Sequence, residues 1–452
     1  MTKILHLGIK KIKIFCSALV FSYLCPQTIN LKTMIMMRIS LFSLLLLLSA
    51  TVRAQYEIFV TETEEAIPYR IPAITTAKDG SLVAVSDYRY CRFDIGAGRI
   101  DLHFRRSTDN GQTWGNIYTP PTMVGDGDLT PGHQEAGYGD AAIAVDRKSG
   151  RMMLITCSGG PLFGYSTIEH HQGMARFYSD DGGLTWGKPD YIGEETIYQP
   201  LSKGKYGPIK AWFVGSGRIY QSRFVKVGKY YRLYCSGVSR NEKENANWVI
   251  YSDDFGQTWS ILGGVDASPV PGGDEPKCEE LPDGRVLLSS RAWGGRFYNI
   301  FTFSDPRTGE GQWGEKAFSG KDNGGVEANQ NSCNGEVMVV PVVRTQDKKK
   351  MHLLLQSLPL GPGRSNVGIY YKELASPSDY ATPQAVASQW TGRYQVSKLP
   401  SAYSTMTQQR DRSLGFFYEE ETHCTTKGGG YTMVYRNLSI EQITEGKYRA
   451  RK

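Results

Sequence analysis

Short apolar runs alternate with polar turn residues along most of the chain. Pairs of runs flank turns such as Asp79-Gly80 and Lys148-Ser149-Gly150, a pattern typical of β-hairpins. Four such pairs are AITTAKDGSLVAVSD (73–87), IAVDRKSGRMMLITC (143–157), FVKVGKYYRLYC (224–235) and EELPDGRVLLSSR (279–291). Amphipathic helical stretches of any length are scarce. The pattern therefore predicts an all-β chain built from consecutive hairpins.

An eight-residue motif occurs three times: STDNGQTW at 107–114, SDDGGLTW at 179–186 and SDDFGQTW at 252–259. A degenerate fourth copy is visible in FSDPRTGEGQW (303–313). In such an Asp box the Asp and Ser side chains can bind backbone amides of a tight turn, while Gly supplies a positive φ and Trp packs on the sheet. We interpret each copy as a staple on one hairpin of one repeating unit.

The spacing of the hairpins predicts six inner strands. They open near Arg70, Asp140, Gln221, Glu275, Cys333 and Tyr403. Four-stranded antiparallel sheets arranged radially around a channel form a β-propeller, and six blades fit the length available. A two-sheet sandwich is the alternative architecture. No linker or shift of composition divides residues 55–452, so they are predicted to form one domain.

The first 54 residues have the character of a secretory leader. They contain seven Lys or Arg and no acidic residue, and the apolar run ISLFSLLLLLSATV (39–52) ends just before Ala54. The run is shorter than the ~20 residues that a membrane span needs, so we expect a signal peptide cleaved near Ala54 and an exported protein, periplasmic or extracellular.

Removal of the leader changes the charge argument. It leaves 45 of the 52 basic residues against 45 acidic ones, and that balance gives no support to nucleic-acid binding. Six cysteines remain after residue 54, too few for a disulfide scaffold. Their pairing cannot be deduced, and buried free thiols are the simpler expectation.

Four further motifs carry a resemblance to a known family. They are YRIPAI (69–74), EPKCEELPDGRVLLSSR (275–291), GRSNVGIYY (363–371), and SAYSTM (401–406) followed by GFFYEE (415–420). Together and in this order, with the Asp boxes, they resemble the sialidase (neuraminidase) superfamily, and the resemblance extends over essentially the whole chain after the leader. It implies a six-bladed propeller.

The resemblance implies three arginines that converge on the carboxylate of a sialic acid: Arg70, Arg291 and Arg364. The chemistry agrees, because a planar guanidinium binds a carboxylate through a fixed fork and Lys does not. Glu419 matches the family carboxylate that holds the first arginine, and Glu420 is a competing choice.

The nucleophile implied by the resemblance is Tyr403 in SAYSTM. An anionic nucleophile would approach a carbon that bears a carboxylate, and a neutral phenol avoids that repulsion; sialidases are known exceptions that use tyrosine. A phenol with an ordinary pKa near 10 needs a base at neutral pH. Glu275 matches the family's base, since Glu-Pro followed by a second Glu five residues later fits only Glu275 and Glu280.

The resemblance also implies a general acid/base on a loop about two dozen residues after the first arginine. Asp94 in YRYCRFDIGAG (88–98) matches this position, whereas Asp87 and Asp101 look structural. Arg89 and Asp140 are candidates for binding the 4-hydroxyl of the sugar. No cofactor and no metal are predicted. The loop GDGDLTPG (125–132) looks like a weak calcium-binding loop, but a turn rich in Asp and Gly is the more common structure for such a segment.

The implied function is exo-α-sialidase activity: hydrolysis of terminal sialic acid from glycoproteins, glycolipids or oligosaccharides, with retention and through a tyrosyl intermediate. Two alternatives stay open. One is a trans-sialidase of the same fold, which passes the sugar to an acceptor other than water. The other is a non-catalytic propeller that binds glycans, which the presence of candidate Asp, Glu and Tyr residues disfavours. Nucleic acid is not an expected partner, and the cleaved protein is not expected to span a membrane.

Overall fold

The computed structural model describes residues 55–424 and 430–451. The predicted leader, residues 1–54, lies outside this part of the chain. Residues from Gln55 onward form one compact unit. Six sheets follow one another as the blades of a β-propeller, so the predicted fold is confirmed.

Each blade is an antiparallel meander whose inner strand comes first in the chain. Blade 1 contains Tyr69–Thr76, Leu82–Tyr88 and Asp101–Ser107. Blade 2 contains Tyr138–Val145, Met152–Ser158, Gly173–Ser179 and Asp190–Tyr191. Blade 3 contains Tyr220–Val227, Tyr230–Arg240, Asn245–Ser252 and Ser260–Ile261. Blade 4 contains Pro276–Glu280, Val286–Ala292, Gly295–Asp305 and Glu310–Trp313. Blade 5 contains Val337–Arg344, Lys350–Pro359, Val367–Leu374 and Gly392–Gln395. Blade 6 contains Ser401–Gln408, Leu414–Glu420 and Thr432–Leu438.

The first described strand, Tyr56–Phe59, closes the ring. It pairs antiparallel with Thr432–Leu438 and so supplies the fourth strand of blade 6. The fourth position of blade 1 is reduced to a single bridge between Phe104 and Tyr118. The blades therefore follow the predicted four-stranded plan, with one reduced outer edge.

Short additional strands extend four of the blades. Gly217–Arg218 pairs parallel with the inner strand of blade 2, and three others pair antiparallel at blades 3, 4 and 5. These three are Ala211–Val214, Ala317–Ser319 and Tyr448–Ala450.

Helices are short and lie in connections between strands. The α-helices are Gln199–Ser202, Pro383–Ala387 and Ile440–Ile443, and a π-helical turn spans Glu194–Tyr198. Turns of 3₁₀-helix are Pro121–Met123, Phe163–Tyr165, Lys321–Asn323 and Pro377–Tyr380. In residues 55–424 and 430–451, no helix has the length and apolar character required to cross a bilayer.

The hydrophobic core is divided into layers between neighbouring blades. Between blades 1 and 2, for example, Val85 and Phe104 pack in one cluster with Leu154 and Phe177. Equivalent clusters fill the other junctions around the ring. Because each sheet buries both faces against its neighbours, its strands are apolar on both sides near their centres. The six cysteines of the described residues are free thiols, five of them buried and Cys91 half-buried.

The three repeats close the turn between the third and fourth strands of blades 1, 2 and 3. In the second repeat Asp181 accepts hydrogen bonds from Ser179 Oγ (2.8 Å), Leu184 N (3.0 Å) and Thr185 N (3.0 Å). Trp186 Nε1 donates to the Gly183 carbonyl (3.1 Å). The degenerate fourth copy differs, because Trp313 Nε1 donates instead to the Leu262 carbonyl (3.0 Å) of blade 3.

Each repeat also joins its blade to the preceding one, which the sequence did not predict. Tyr435 in blade 6 donates its hydroxyl to the Asn110 carbonyl (3.1 Å) in the first repeat. Tyr178 in blade 2 donates to the Phe255 carbonyl (2.9 Å) in the third. The repeats therefore connect neighbouring blades by hydrogen bonds, in addition to closing the turns of their own blades.

Replacing Asp181 with Ala should destabilise the propeller, because several backbone and hydroxyl donors of the turn lose their acceptor. We expect a loss of about 1–2 kcal/mol and a thermal unfolding midpoint lower by about 1–2 °C. The matched control is Asp180→Ala in the same turn, since Asp180 is 75% exposed and makes one surface ion pair with Arg151. Equal thermal unfolding midpoints for the two variants would contradict the stabilising role of Asp181 in this turn.

Candidate active site

Irregular strand openings place side chains at one mouth of the central channel. The pairing register shifts between Arg70 and Pro72 in blade 1, between Gly139 and Ala142 in blade 2, and between Ser401 and Ser404 in blade 6. Ile71 (φ 58°) and Asp140 (φ 55°) adopt left-handed backbone conformations inside the first two shifts. Such bulges re-aim side chains at strand ends, and here they lie at Arg70, Asp140 and Tyr403.

Glu275 and Arg291 come from the first hairpin of blade 4. Glu275 immediately precedes the inner strand, and its carbonyl accepts the backbone N–H of Arg291 (3.0 Å). The loop before the third strand of blade 5 carries Arg364, whose carbonyl accepts the N–H of Ser401 (3.0 Å). Blades 1, 4, 5 and 6 therefore all contribute residues to one mouth.

Glu419 fixes the positions of two predicted site residues. Its Oε1 accepts hydrogen bonds from Arg70 Nε (2.8 Å) and Ile71 N (2.8 Å), and its Oε2 accepts the N–H of Tyr403 (3.0 Å). Its side chain is fully buried. The competing residue Glu420 instead contacts Gln55 and the Tyr418 hydroxyl. The structure therefore places Glu419, and not Glu420, beside Arg70.

The three predicted arginines surround the Tyr403 side chain. The guanidinium carbons of Arg70 and Arg364 each lie 5.7 Å from the centre of its ring. Arg291 Nη1 donates to the Tyr403 hydroxyl (3.1 Å), and Arg291 Nε donates to Ser332 Oγ (2.7 Å). This arrangement gathers three guanidinium groups around one phenol.

Two of the three arginines pair with carboxylates of the protein. Arg70 pairs with Glu419, and Arg291 pairs with Glu275 (2.9 Å) and Asp274 (3.2 Å). Arg364 donates to the Ser332 carbonyl (3.4 Å) and has no carboxylate within ion-pair distance among the described residues. Arg364 is therefore the arginine of this cluster that is left to pair with an anionic group of a ligand.

Tyr403 and Glu275 form a short hydrogen bond. The phenol donates to Glu275 Oε1 (2.6 Å), while Glu275 Oε2 accepts from Arg291 (2.9 Å). Burial, followed by the negative charge of Glu275, raises the pKa of the Tyr403 phenol well above its ordinary value. The phenol is therefore neutral in the free site, and its proton already points at a carboxylate acceptor.

Arg89 contacts three carboxylates, and these residues form a second group in addition to the one around Tyr403. Its guanidinium lies 2.9 Å from Asp87 Oδ2, 3.1 Å from Asp94 Oδ1 and 3.5 Å from Asp140 Oδ2. Asp87 and Asp140 have at most 2% of their side chains exposed, whereas Asp94 has 49% exposed. Asp94 is thus the member of this group that solvent or a ligand can reach.

The buried members of this group are hard to ionise together. Burial raises the pKa of Asp87 to about 6 against the opposing effect of Arg89. Burial, and next the charge of Asp87, raises the pKa of Asp140 well above its ordinary value. The charge of Glu275 contributes to the same rise, so the two groups are within electrostatic range of each other.

Sequence reasoning gave Asp87 only a structural role, yet it is the main partner of Arg89. It also missed Asp274, Ser332 and Tyr431; the Tyr431 ring lies 5.0 Å from the Arg70 guanidinium carbon. Asp274 could have been noticed as a carboxylate next to Glu275, but Ser332 and Tyr431 stand in no recognisable motif. Asp101 is structural as expected, since it pairs with Arg99 and accepts the Gly125 N–H.

One group of possible metal ligands occurs in the described residues. The ligand atoms of Asp126, His133 and Glu135 lie within 4.8 Å of one another, and Asp126 contacts His133 at 2.6 Å. None of these residues belongs to either group above.

Proteins similar to this chain in sequence include sialidases. It is 31% identical to a sialidase of Micromonospora viridifaciens over 244 residues, which cover 49% of this chain and 32% of that protein. It is 29% identical to a sialidase of Paraclostridium sordellii over 229 residues, which cover 49% of this chain and 52% of that protein. The aligned segments thus span from a third to about half of these relatives. No family model matches the chain.

Solved structures show the same fold. The microbial sialidase Hz136 superposes with a TM-score of 0.61 at 22% identity, covering 83% of this chain and 66% of that one. The intramolecular trans-sialidase of Ruminococcus gnavus superposes with a TM-score of 0.63 at 16% identity, covering 86% and 98%. The chain is thus similar in sequence to sialidases over about half of its length, and it shares the propeller fold of these solved structures.

Proposed function

We propose that this protein is an exo-α-sialidase that hydrolyses terminal sialic acid from glycoproteins, glycolipids or oligosaccharides. The observation that carries the proposal is the cluster of Arg70, Arg291 and Arg364 around a neutral phenol that is hydrogen-bonded to a carboxylate. Sialic acid carries its carboxylate on the anomeric carbon itself. A site that binds the carboxylate with three guanidinium groups therefore brings the phenol to the reacting carbon.

The first chemical step forms a covalent intermediate. Tyr403 attacks the anomeric carbon as its proton passes to Glu275, which is already 2.6 Å from the phenol oxygen. Asp94 donates a proton to the glycosidic oxygen, and the bond to the departing sugar breaks. Arg291 contacts both the phenol and Glu275, so its charge favours the developing phenolate while Glu275 becomes neutral.

The second step reverses the roles. Asp94, now ionised, takes a proton from a water molecule that attacks the same carbon, and Tyr403 leaves with a proton returned by Glu275. Two displacements give net retention of configuration. Arg89 and Asp140 are proposed to contact the 4-hydroxyl from the floor of the pocket, beside Asp94.

Export completes the proposal. The basic, apolar and small-residue pattern of residues 1–54 favours a cleaved signal peptide. The exported enzyme, which carries no formal net charge after cleavage, would meet sialylated glycans in the periplasm or outside the cell.

The direct test is incubation of the purified protein, without residues 1–54, with sialyllactose. We expect free sialic acid to be released, first as the α-anomer when the reaction is followed by NMR. Transfer to added lactose, or a rearranged sialic acid as the main product, would favour the trans-sialidase alternative. Binding without turnover would favour the glycan-binding alternative.

Replacing Tyr403 with Phe should reduce kcat by more than about 100-fold, because the nucleophilic oxygen is lost. Tyr431→Phe is the matched control, since it removes a phenol oxygen from the same pocket without touching the reacting group. Its kcat should stay within about tenfold of the unchanged protein. Similar kcat values for the two variants would contradict the nucleophile assignment.

Replacing Asp94 with Ala should affect substrates according to how readily the leaving group departs. For sialyllactose, whose leaving alcohol needs a proton, kcat/KM should fall by about 10²–10⁴-fold. For an aryl sialoside with an acidic phenol as leaving group, the fall should be at least tenfold smaller. Asp128→Ala, on an exposed neighbouring loop, is the control. An equal loss on both substrates would refute Asp94 as the general acid.

A further inference from the structure

Exposed aromatic side chains are concentrated on the face of the propeller that carries the candidate site. Among the described residues, six aromatic side chains are at least 40% exposed: Tyr90, Phe93, Tyr165, Phe224, Trp293 and Phe318. Five of them lie in loops or strand ends at the mouth where Arg70 and Arg291 are found, and Phe224 alone lies toward the opposite end. Such asymmetry indicates a binding face, since single exposed apolar residues are otherwise scattered.

Phe93 directly precedes Asp94, and Tyr165 lies on the loop after Met152–Ser158, which packs on the loop of Asp94. Tyr90 is also near Asp94 in the chain, but its ring contacts Tyr88 and Arg99. Phe93 is 62% exposed and Tyr165 is 78% exposed, and neither has a ring partner in residues 55–424 and 430–451. Leu129, 43% exposed, lies on a third segment, which contacts the loop of Tyr165 at Gly160. We call Phe93, Leu129 and Tyr165 the apolar rim.

The loops that carry the rim pack directly on one another. A Cβ atom on Gly96 would lie 2.2 Å from the backbone of Pro161, so these two loops are in backbone contact. Gln172 Nε2 donates to the Ile95 carbonyl (2.8 Å) and reinforces the contact. A Cβ on Gly160 would lie 3.2 Å from Leu129 Cδ2. The rim is thus built from three adjoining segments.

Arg89 holds the segment that joins Phe93 to Asp94. Its Nη1 donates to the Phe93 carbonyl (3.0 Å) and lies 3.1 Å from Asp94 Oδ1, and its own side chain is 5% exposed. A buried guanidinium therefore fixes the backbone of Phe93 and the carboxylate of Asp94 together, while the Phe93 ring is left in solvent. An aromatic ring held out by a rigid loop binds with a small entropy cost.

The position of Asp94 decides what the rim faces. A general acid must come within about 2.6–3.2 Å of the glycosidic oxygen, and the sugar that leaves is attached to that oxygen. The arginines that bind the carboxylate belong to blades 1, 4 and 5, whereas the rim belongs to the loops of blades 1 and 2 around Asp94. The rim therefore lies on the leaving-group side of the site.

We infer that the apolar rim binds the sugar to which sialic acid is attached, through contact of the apolar C–H face of that sugar with Phe93 and Tyr165. The inference rests on the proposed function and deepens it, because it assigns the residues that recognise the leaving group. Phe93 and Tyr165 are specificity residues in this assignment, distinct from the residues that bind sialic acid.

The test compares two substrates whose leaving groups are both alcohols: sialyllactose and methyl α-sialoside. Phe93→Ala and Tyr165→Ala should each lower kcat/KM for sialyllactose by about threefold to tenfold, the range expected for loss of one aromatic contact. For methyl α-sialoside, which lacks the second sugar, kcat/KM should change by less than about twofold. Phe224→Ala, a similarly exposed aromatic residue toward the opposite end, should change neither value.

The substrate pair separates the possible failures. Equal losses of kcat/KM on both substrates would mean that the substitutions disturb Asp94 or the fold, and would overturn the assignment of the rim to the leaving sugar. Thermal unfolding midpoints distinguish these two causes. Unchanged kcat/KM on both substrates would overturn it as well. If the unsubstituted protein hydrolyses neither substrate, the proposed function itself fails, and the rim assignment falls with it.

Discussion

Three like-charged guanidinium groups held side by side repel one another, and the rest of the site is arranged to keep them there. Glu419 anchors Arg70 from a fully buried position, while Glu275 and Asp274 hold Arg291. Arg364 is held only by a carbonyl among the described residues. Arg364 thus has no carboxylate partner in the described part of the chain, and the carboxylate of the proposed substrate would supply one. Binding energy is in this way directed to the one functional group that distinguishes sialic acid from neutral sugars.

The same contacts connect the proposed recognition of the sugar to the proposed reacting oxygen. Glu419 bonds both Arg70 and the backbone of Tyr403, and Arg291 bonds both Glu275 and the phenol. In the proposed mechanism, a carboxylate bound by the arginines would therefore meet a nucleophile whose position depends on the same side chains. The propeller makes this possible because its inner strands open at one mouth, where shifts of register turn side chains from separate blades toward a common point.

Sequence reasoning predicted much of this arrangement, and its omissions have physical causes. Hairpin turns and repeats give the period of the blades, so the inner strands begin within a few residues of their expected openings; the largest offset is at Val337, expected near Cys333. Motifs located the arginines, Tyr403 and Glu275. The pattern could not reveal the strand from Tyr56 to Phe59 that closes blade 6, since its pairing is non-local. Nor could it reveal the buried bond of Asp87 to Arg89, because an acidic residue at a strand end looks the same whether exposed or buried.

The most direct test of the central claim is to trap the intermediate. A sialosyl fluoride that carries a second fluorine on the carbon next to the anomeric centre should react and then hydrolyse slowly, because the fluorine destabilises the positively charged transition state of each step. Mass spectrometry of the digested protein should show one added sugar on the peptide that contains Tyr403, and none when Arg291 is replaced with Lys or Tyr403 with Phe. An adduct on Glu275 or Asp94, or continued labelling of the Tyr403→Phe protein, would contradict the account.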